Sequence, residues 1–522
     1  MKFALAHEYL MREDSTKIKR AFSFAQEGIR KFSYTDLYIL LVLAIVVAAW
    51  IWQNATFGFV TLILVSCVVL VFSDDLLPLS VNAFGAMLMI FKVEGEQNID
   101  VSRFFYLWPT LIPLAVAILI FVVRNTVAKV KDKQRFVLGK MFFPQVAVSA
   151  ALLLGGVGTI AAKNYLTALP NVIALGVGVL AVYLLFANFI KIDEKRDYAK
   201  YFAKVVMWIG FAVCVEMIVH ISRLDISSQD WSKWYWDLGW GNRNNIATFL
   251  LFSAPMATYL STRTRKGWAY IVMALFQYAC LVVTLSRGGI LFGAIAAVFG
   301  VVFSILKAPN RKTQATIWGI AILAALVICL VKLDLVKGII SSLVDRIESG
   351  GNGDVTSGRF DLYKEAWEQF VAHPIFGAGM GFIGTRDGQF HSENMSQYWF
   401  HSTLFQVLGC MGIVGIAAYV YYYIVRFGIV FKGMKKNCKF AFFVFVAWLG
   451  FEGYSMIDTG TMIPFPNMML VAVMSYIAQL ANLQRSESEI DGVPNSLLNE
   501  VYVRDTGIDV VRVDAKLIIN NE

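Results

Sequence analysis

The chain has 522 residues, of which 58% are hydrophobic, 14% aromatic and only 16% charged. A soluble domain carries about 25% charged residues, and so few polar side chains could not cover so large an apolar content. A soluble enzyme, a secreted disulfide scaffold and a single-anchor protein are therefore excluded. The formal charge of +9 is read first against a membrane, and on that reading it points to no nucleic acid.

The expected fold is all-α, a polytopic membrane helix bundle. A span needs about 20 mostly apolar residues, and about fourteen such stretches follow one another. They begin near Leu37, Thr56, Leu76, Phe105, Met141, Asn171, Val205, Ile246, Trp268, Ile290, Ala315, Thr403, Phe440 and Met468. The third is the weakest, being short and interrupted by Asn82. Period-2 alternation is missing, which favours helices over strands. Loops at 124–140, 191–204, 263–266, 307–312 and 432–439 are rich in Lys and Arg. They fall on alternate sides of successive spans and mark the cytoplasmic face.

The resulting layout is a cytoplasmic N-terminal segment 1–35, a transmembrane domain 36–482 and a cytoplasmic tail 483–522, with both termini inside. The N-terminus lacks an apolar stretch with a small-residue cleavage site, so no cleavable signal peptide is expected. Five of the six cysteines lie in apolar runs and none forms a CxxC pair, so no metal is expected. The outer face then carries Trp231, Trp234, Trp236 and Trp240, an interfacial belt among membrane lipids. It also carries a long loop, 332–402, between spans eleven and twelve.

That loop holds most of the chemistry. An amphipathic surface helix fits 359–372, with Asp361, Lys364, Glu365 and Glu368 on one face and Leu362, Tyr363, Ala366, Trp367, Phe370 and Val371 on the other. Arg359, on the apolar side, either seeks an anionic partner or snorkels to headgroups. His373-Pro-Ile-Phe-Gly-Ala-Gly379 follows; Gly377 and Gly379 permit tight turns and close approach of a ligand. As a phosphate loop it lacks the following Lys-Ser/Thr. His401 opens the next span at a helix start, where a neutral imidazole suits a general base, unless it is an interfacial histidine without a role. His391 is a weaker candidate.

Arg287, in Thr284-Leu-Ser286-Arg-Gly-Gly289, sits outside in a turn too short to escape from, and such a residue is usually functional. Gly241-Asn-Arg243-Asn-Asn245 adds an arginine and a cluster of amides, which could equally cap a helix. Topology thus sets Arg243, Arg287, Arg359 and His401 on one face. Guanidinium groups bind phosphate oxygens bidentately, and a histidine takes a proton from a hydroxyl.

These motifs occur in a telling order: Leu285-Ser-Arg-Gly-Gly289, Ser357-Gly-Arg359, Trp367 with His373 to Gly379, then His401-Ser402 and Gly412-Ile-Val-Gly415. Together they resemble the O-antigen ligase and polymerase (Wzy/WaaL-like) superfamily over roughly residues 235–425. The resemblance implies a GT-C-like, metal-independent membrane glycosyltransferase without cofactors, in a bacterial cytoplasmic (inner) membrane. It implies an undecaprenyl-diphosphate-linked glycan donor, a glycan or lipid-linked acceptor and a chain-length regulator as partner. Carried across, Arg287 and Arg359 clamp the diphosphate and His401 is the acceptor base. Arg243, Asn245, Ser286, His373, Gly377 and Gly379 line the substrate site. The family often has His-Asn where His401-Ser402 stands.

Within that class a polysaccharide polymerase is favoured over a ligase to lipid A core, because no motif reads lipid A core. Two other classes compete. A transporter or lipid-linked sugar flippase should show mid-membrane ionisable residues and repeated halves; only Glu216, His220 and Glu452 approach this, without a repeat. A GT-C enzyme with a carboxylate base would use Asp74 and Asp75, which the topology puts inside.

Overall fold

The computed structural model describes residues 22–52, 54–94, 108–159, 162–191, 196–223, 243–263, 267–308, 310–331, 333–348, 358–380, 400–436, 438–458, 460 and 466–483. The tryptophan belt, Ser357, His391 and the tail after 483 lie outside them. Every regular element among the described residues is a helix. The chain divides into two compact units.

The first unit contains α1 (Phe22–Ser33), α2 (Asp36–Ile51), α3 (Ala55–Phe72), most of α4 (Leu79–Glu94) and α5 (Trp108–Lys131). The α1–α2 junction bends by 75°. There the Thr35 hydroxyl accepts from Tyr38 N–H and Asp36 occupies the first turn, which together cap α2. Arg124 of α5 donates to the carbonyls of Leu70, Val71 and Ser73, the orphan acceptors at the end of α3. The acidic pair has local work. Asp75 is buried, accepts from the Tyr34 hydroxyl and caps Leu77 N–H at 3.1 Å. Asp74 pairs with Lys191 and, at 3.9 Å, with Arg30.

The second unit holds α6 (Phe142–Leu154), α7 (Ala162–Ile173) running through a π-helical turn (Ala174–Gly178) into α8 (Val179–Phe189), and α9 (Tyr198–Ser222). It continues with α10 (Arg243–Ser261), α11 (Gly267–Val283), α12 (Arg287–Lys307), α13 (Arg311–Val331) and α14 (Leu333–Glu348). Last come α15 (Arg359–Ala372), α16 (Thr403–Lys435), α17 (Lys439–Ser455) and α18 (Pro466–Ala481). Its centre is α10, buried at every position from Asn245 to Ser261 and packed on α9, α11, α12 and α17. Lipid gives helices no hydrophobic drive to associate, so close packing does that work. Small residues allow it: a Cβ on Gly450 of α17 would lie 3.2 Å from the Ala296 methyl of α12.

A helix occupies each of the fourteen expected stretches, and among the described residues seven helices are long and apolar enough to cross a membrane, or eight if α1 and α2 form one bent span. Several of the rest are short, among them Phe142–Leu154 and Gly267–Val283. The structure supports a multi-pass helix bundle, while fourteen crossings stays an expectation. The long loop carries two helices, α14 and α15. The second has the bounds that its sequence pattern predicts.

One feature was not foreseen: α16 is broken. At Gly412 the backbone takes φ +61° and ψ −153°, a region essentially confined to glycine. The segment 374–379 satisfies the backbone groups freed there. Ala378 N–H donates to Gly409 O (2.8 Å) and Gly379 N–H to Cys410 O (2.9 Å). Ile413 N–H donates to Pro374 O (2.9 Å) and Val414 N–H to Ile375 O (3.2 Å). In a membrane, non-helical backbone survives only where its polar groups are met in this way.

Candidate active site

The site forms where the starts of four helices meet the end of α17. Two of those starts share a local design. Leu285 and His401 both have positive φ (54° and 51°), rare for residues with a Cβ. Each is followed by a serine N-cap, Ser286 for α12 and Ser402 for α16. Ser286 Oγ accepts from Gly289 N–H (3.3 Å) and donates to Asn244 Oδ1 (2.9 Å). Ser402 Oγ donates instead to Met456 O (2.8 Å), tying α16 to α17. Behind His401, Gln406 Oε1 accepts from Phe400 N–H (2.8 Å), which holds the incoming chain.

The hub is Asp458, three residues past the end of α17 and 7% exposed. Its Oδ1 lies 3.2 Å from His401 Nδ1. Its Oδ2 accepts from Asn244 Nδ2 (2.9 Å), the Tyr454 hydroxyl (3.0 Å) and Arg359 Nη2 (3.3 Å). A carboxylate that draws this many donors acts as an acceptor throughout. The proton of a neutral His401 therefore sits on Nδ1, and Nε2 keeps the lone pair a base needs. The His401 side chain is one-third exposed (33%), so the ring is open to the outside of the cluster.

Arg359 finds its anionic partner inside the protein: besides Asp458, its Nη1 donates to Ile457 O at the end of α17. Helix C-terminal carbonyls welcome such a cation. Among the described residues two of its five N–H donors are thereby used, which leaves three for an incoming anion. Tyr363, one turn along α15, donates to His401 O (3.2 Å) and stacks on Phe405 with centroids 4.3 Å apart. Burial pushes the Tyr363 hydroxyl up; Arg359 opposes this and Asp458 reinforces it, and the group stays protonated to donate.

Of the expected site residues, His401, Arg359 and Ser286 belong to this cluster directly. Arg243 and Arg287 head the helices that carry Asn244 and Ser286. Asn245 is buried one residue beyond the amide that reaches Asp458, and its carbonyl accepts from Thr248. His373, Gly377 and Gly379 lie elsewhere. His373 closes the opposite end of α15, about 20 Å along that helix from Arg359. A Cβ on Gly377 (φ +65°) would sit 2.4 Å from Cys410 backbone, so its glycine is required by the α16 break. Asp458, Asn244 and Tyr454 were not singled out from sequence. The available signal was an acid stranded just beyond an apolar run, the same anomaly that marks Arg287.

Among the described residues no group of three or more His, Cys, Asp or Glu is arranged to hold a metal ion. No curated protein matches the chain. Residues 269–420 match the family model Wzy_C, described as O-Antigen ligase. This stretch runs from α11 into α16 and includes Arg287, Arg359 and His401, and over it the chain is similar to the O-antigen ligase/polymerase superfamily.

Proposed function

We propose that this protein is a membrane glycosyltransferase that moves glycan from an undecaprenyl-diphosphate-linked donor to an acceptor hydroxyl, and that it serves as a polysaccharide polymerase. The observation that carries the reading is the Asp458–His401 contact beside Arg359. It leaves the lone pair of a part-exposed imidazole next to a cationic helix start. In the reaction His401 Nε2 takes the acceptor hydroxyl proton as that oxygen bonds to the anomeric carbon. The bond from that carbon to the diphosphate oxygen breaks, and the lipid diphosphate leaves with the electron pair. Arg287 and Arg359, with Arg243, face the developing negative charge, which is the largest catalytic contribution expected. Asp458 holds the imidazole in its useful tautomer and steadies the imidazolium that forms.

The test is replacement of His401, Arg287 or Arg359 by Ala. Each is expected to abolish transfer while the protein still accumulates in membranes. Normal chain-length ladders from a variant would sink that residue's role. The matched family's description favours a second reading, ligation to lipid A core. A deletion strain separates the outcomes. Single repeats capping the acceptor indicate a polymerase, and long chains stranded on the carrier lipid indicate a ligase. Full-length surface glycan with lost solute uptake overturns both.

A further inference from the structure

A second charged pair lies deep in the second unit, well away from the proposed chemistry and outside the matched stretch 269–420. Arg426 of α16 has no exposed side-chain surface, and its Nη2 donates to Glu452 Oε1 of α17. The Tyr423 hydroxyl donates to Glu452 Oε2 at 2.8 Å. The rings of Trp448, Tyr423, Tyr422 and Phe427 surround the guanidinium, with centroids 4.7, 4.8, 5.2 and 5.2 Å from its carbon. Nε and Nη1 have no hydrogen-bond partner among the described residues, so the ring faces take that place. Ion pairs inside a membrane are expensive and mark function more often than stability.

The position of Glu452 suggests what the pair does. It stands less than two turns before Asp458. The backbone between them carries three site contacts: the Tyr454 hydroxyl on Asp458, Met456 O accepting from Ser402, and Ile457 O accepting from Arg359. Below its break at Gly412, α16 meets α17 through this pair and through the packed rings of Phe427, Phe431 and Phe445. Above the break, the chain entering the short half-helix is tied to the end of α17 by Ser402 on Met456 O and by His401 on Asp458. Sliding or rotating α17 by a fraction of a turn would carry Asp458 away from His401.

We propose that Arg426, Glu452 and Tyr423 form a register clamp between α16 and α17: positioning residues that set the Asp458–His401 geometry and touch no substrate. The inference rests on the proposed transfer reaction. The test uses the full-length protein in membranes, with kcat and KM measured for the acceptor. Glu452→Gln keeps the shape but strands the guanidinium charge; kcat should fall about tenfold or more, with KM changed less than about threefold. Tyr423→Phe removes one donor and leaves the ion pair, so kcat should fall about three- to tenfold. It carries the test if Glu452→Gln does not accumulate. The exchanged pair Arg426→Glu with Glu452→Arg should recover part of kcat.

Unchanged kcat in Tyr423→Phe, or loss of active protein with kcat per folded molecule intact, overturns the clamp. His401→Ala is run alongside. If it retains transfer, the reaction assignment fails. If it is dead while the clamp variants keep their kcat, the clamp alone fails.

Discussion

Replacing Asp458 with Asn is the sharpest probe of the site. The change is nearly isosteric at a buried position, so packing survives. The amide has one acceptor and one donor end, and Oδ2 alone already serves Asn244, Tyr454 and Arg359. The amide oxygen must take that side, which turns the NH2 toward His401 Nδ1. A donor there forces Nδ1 to accept, and the imidazole proton moves to Nε2. His401 then presents N–H where a base is needed. Loss of general base catalysis costs about 10²–10⁴ in rate, equivalent to about 2.7–5.4 kcal/mol of activation free energy. Initial rates of glycan transfer by purified Asp458→Asn protein, with donor and acceptor both saturating, measure this directly. A kcat within about threefold of the parent would refute the tautomer argument, and His401 would then have to act without Asp458.

Other outcomes follow from the same contacts. Gly412→Ala places a Cβ 2.6 Å from Pro374 O and Ile375 O in a glycine-only conformation, so it should lose about 1–3 kcal/mol or more from strain; a lowered melting temperature in detergent checks this. Tyr454→Phe removes a charge-assisted donor from Asp458 and should cost up to about 1.5–3 kcal/mol, seen as a reduced kcat with the fold intact by circular dichroism. Chelation with EDTA should leave the transfer rate unchanged, and recovery of lost activity on adding back a divalent ion would contradict the metal-independent reaction.

Hydropathy made the helices legible because lipid-facing and buried apolar residues read alike along the chain. The α15 helix was legible to the residue, since Gly358 before it and His373-Pro374 after it leave few choices. The same uniformity hid the α16 break. Gly412 lies within an unbroken apolar run, and only the docking of 374–379 shows why a glycine is needed there. The gathering of arginine- and histidine-bearing helix starts followed from counting spans. Asp458 did not, because its importance comes from donors on α10, α15 and α17 and from His401 just before α16, which no local pattern connects. Attention to acidic pairs led instead to Asp74 and Asp75, whose partners Lys191, Arg30 and Tyr34 give them structural work.

The bonds that seat the α16 break run from main chain to main chain. A substitution that keeps the backbone path removes none of them. A saturation scan of 374–379 and 409–412 should therefore look two-toned. Ile375, exposed at the surface, should accept most replacements. Gly377 and Gly412 should accept almost none, although neither is near a reacting atom. Intolerance to substitution in this protein thus reports where a helix is interrupted as well as where chemistry takes place, and a map of sensitive positions would draw two separate patches on one helix.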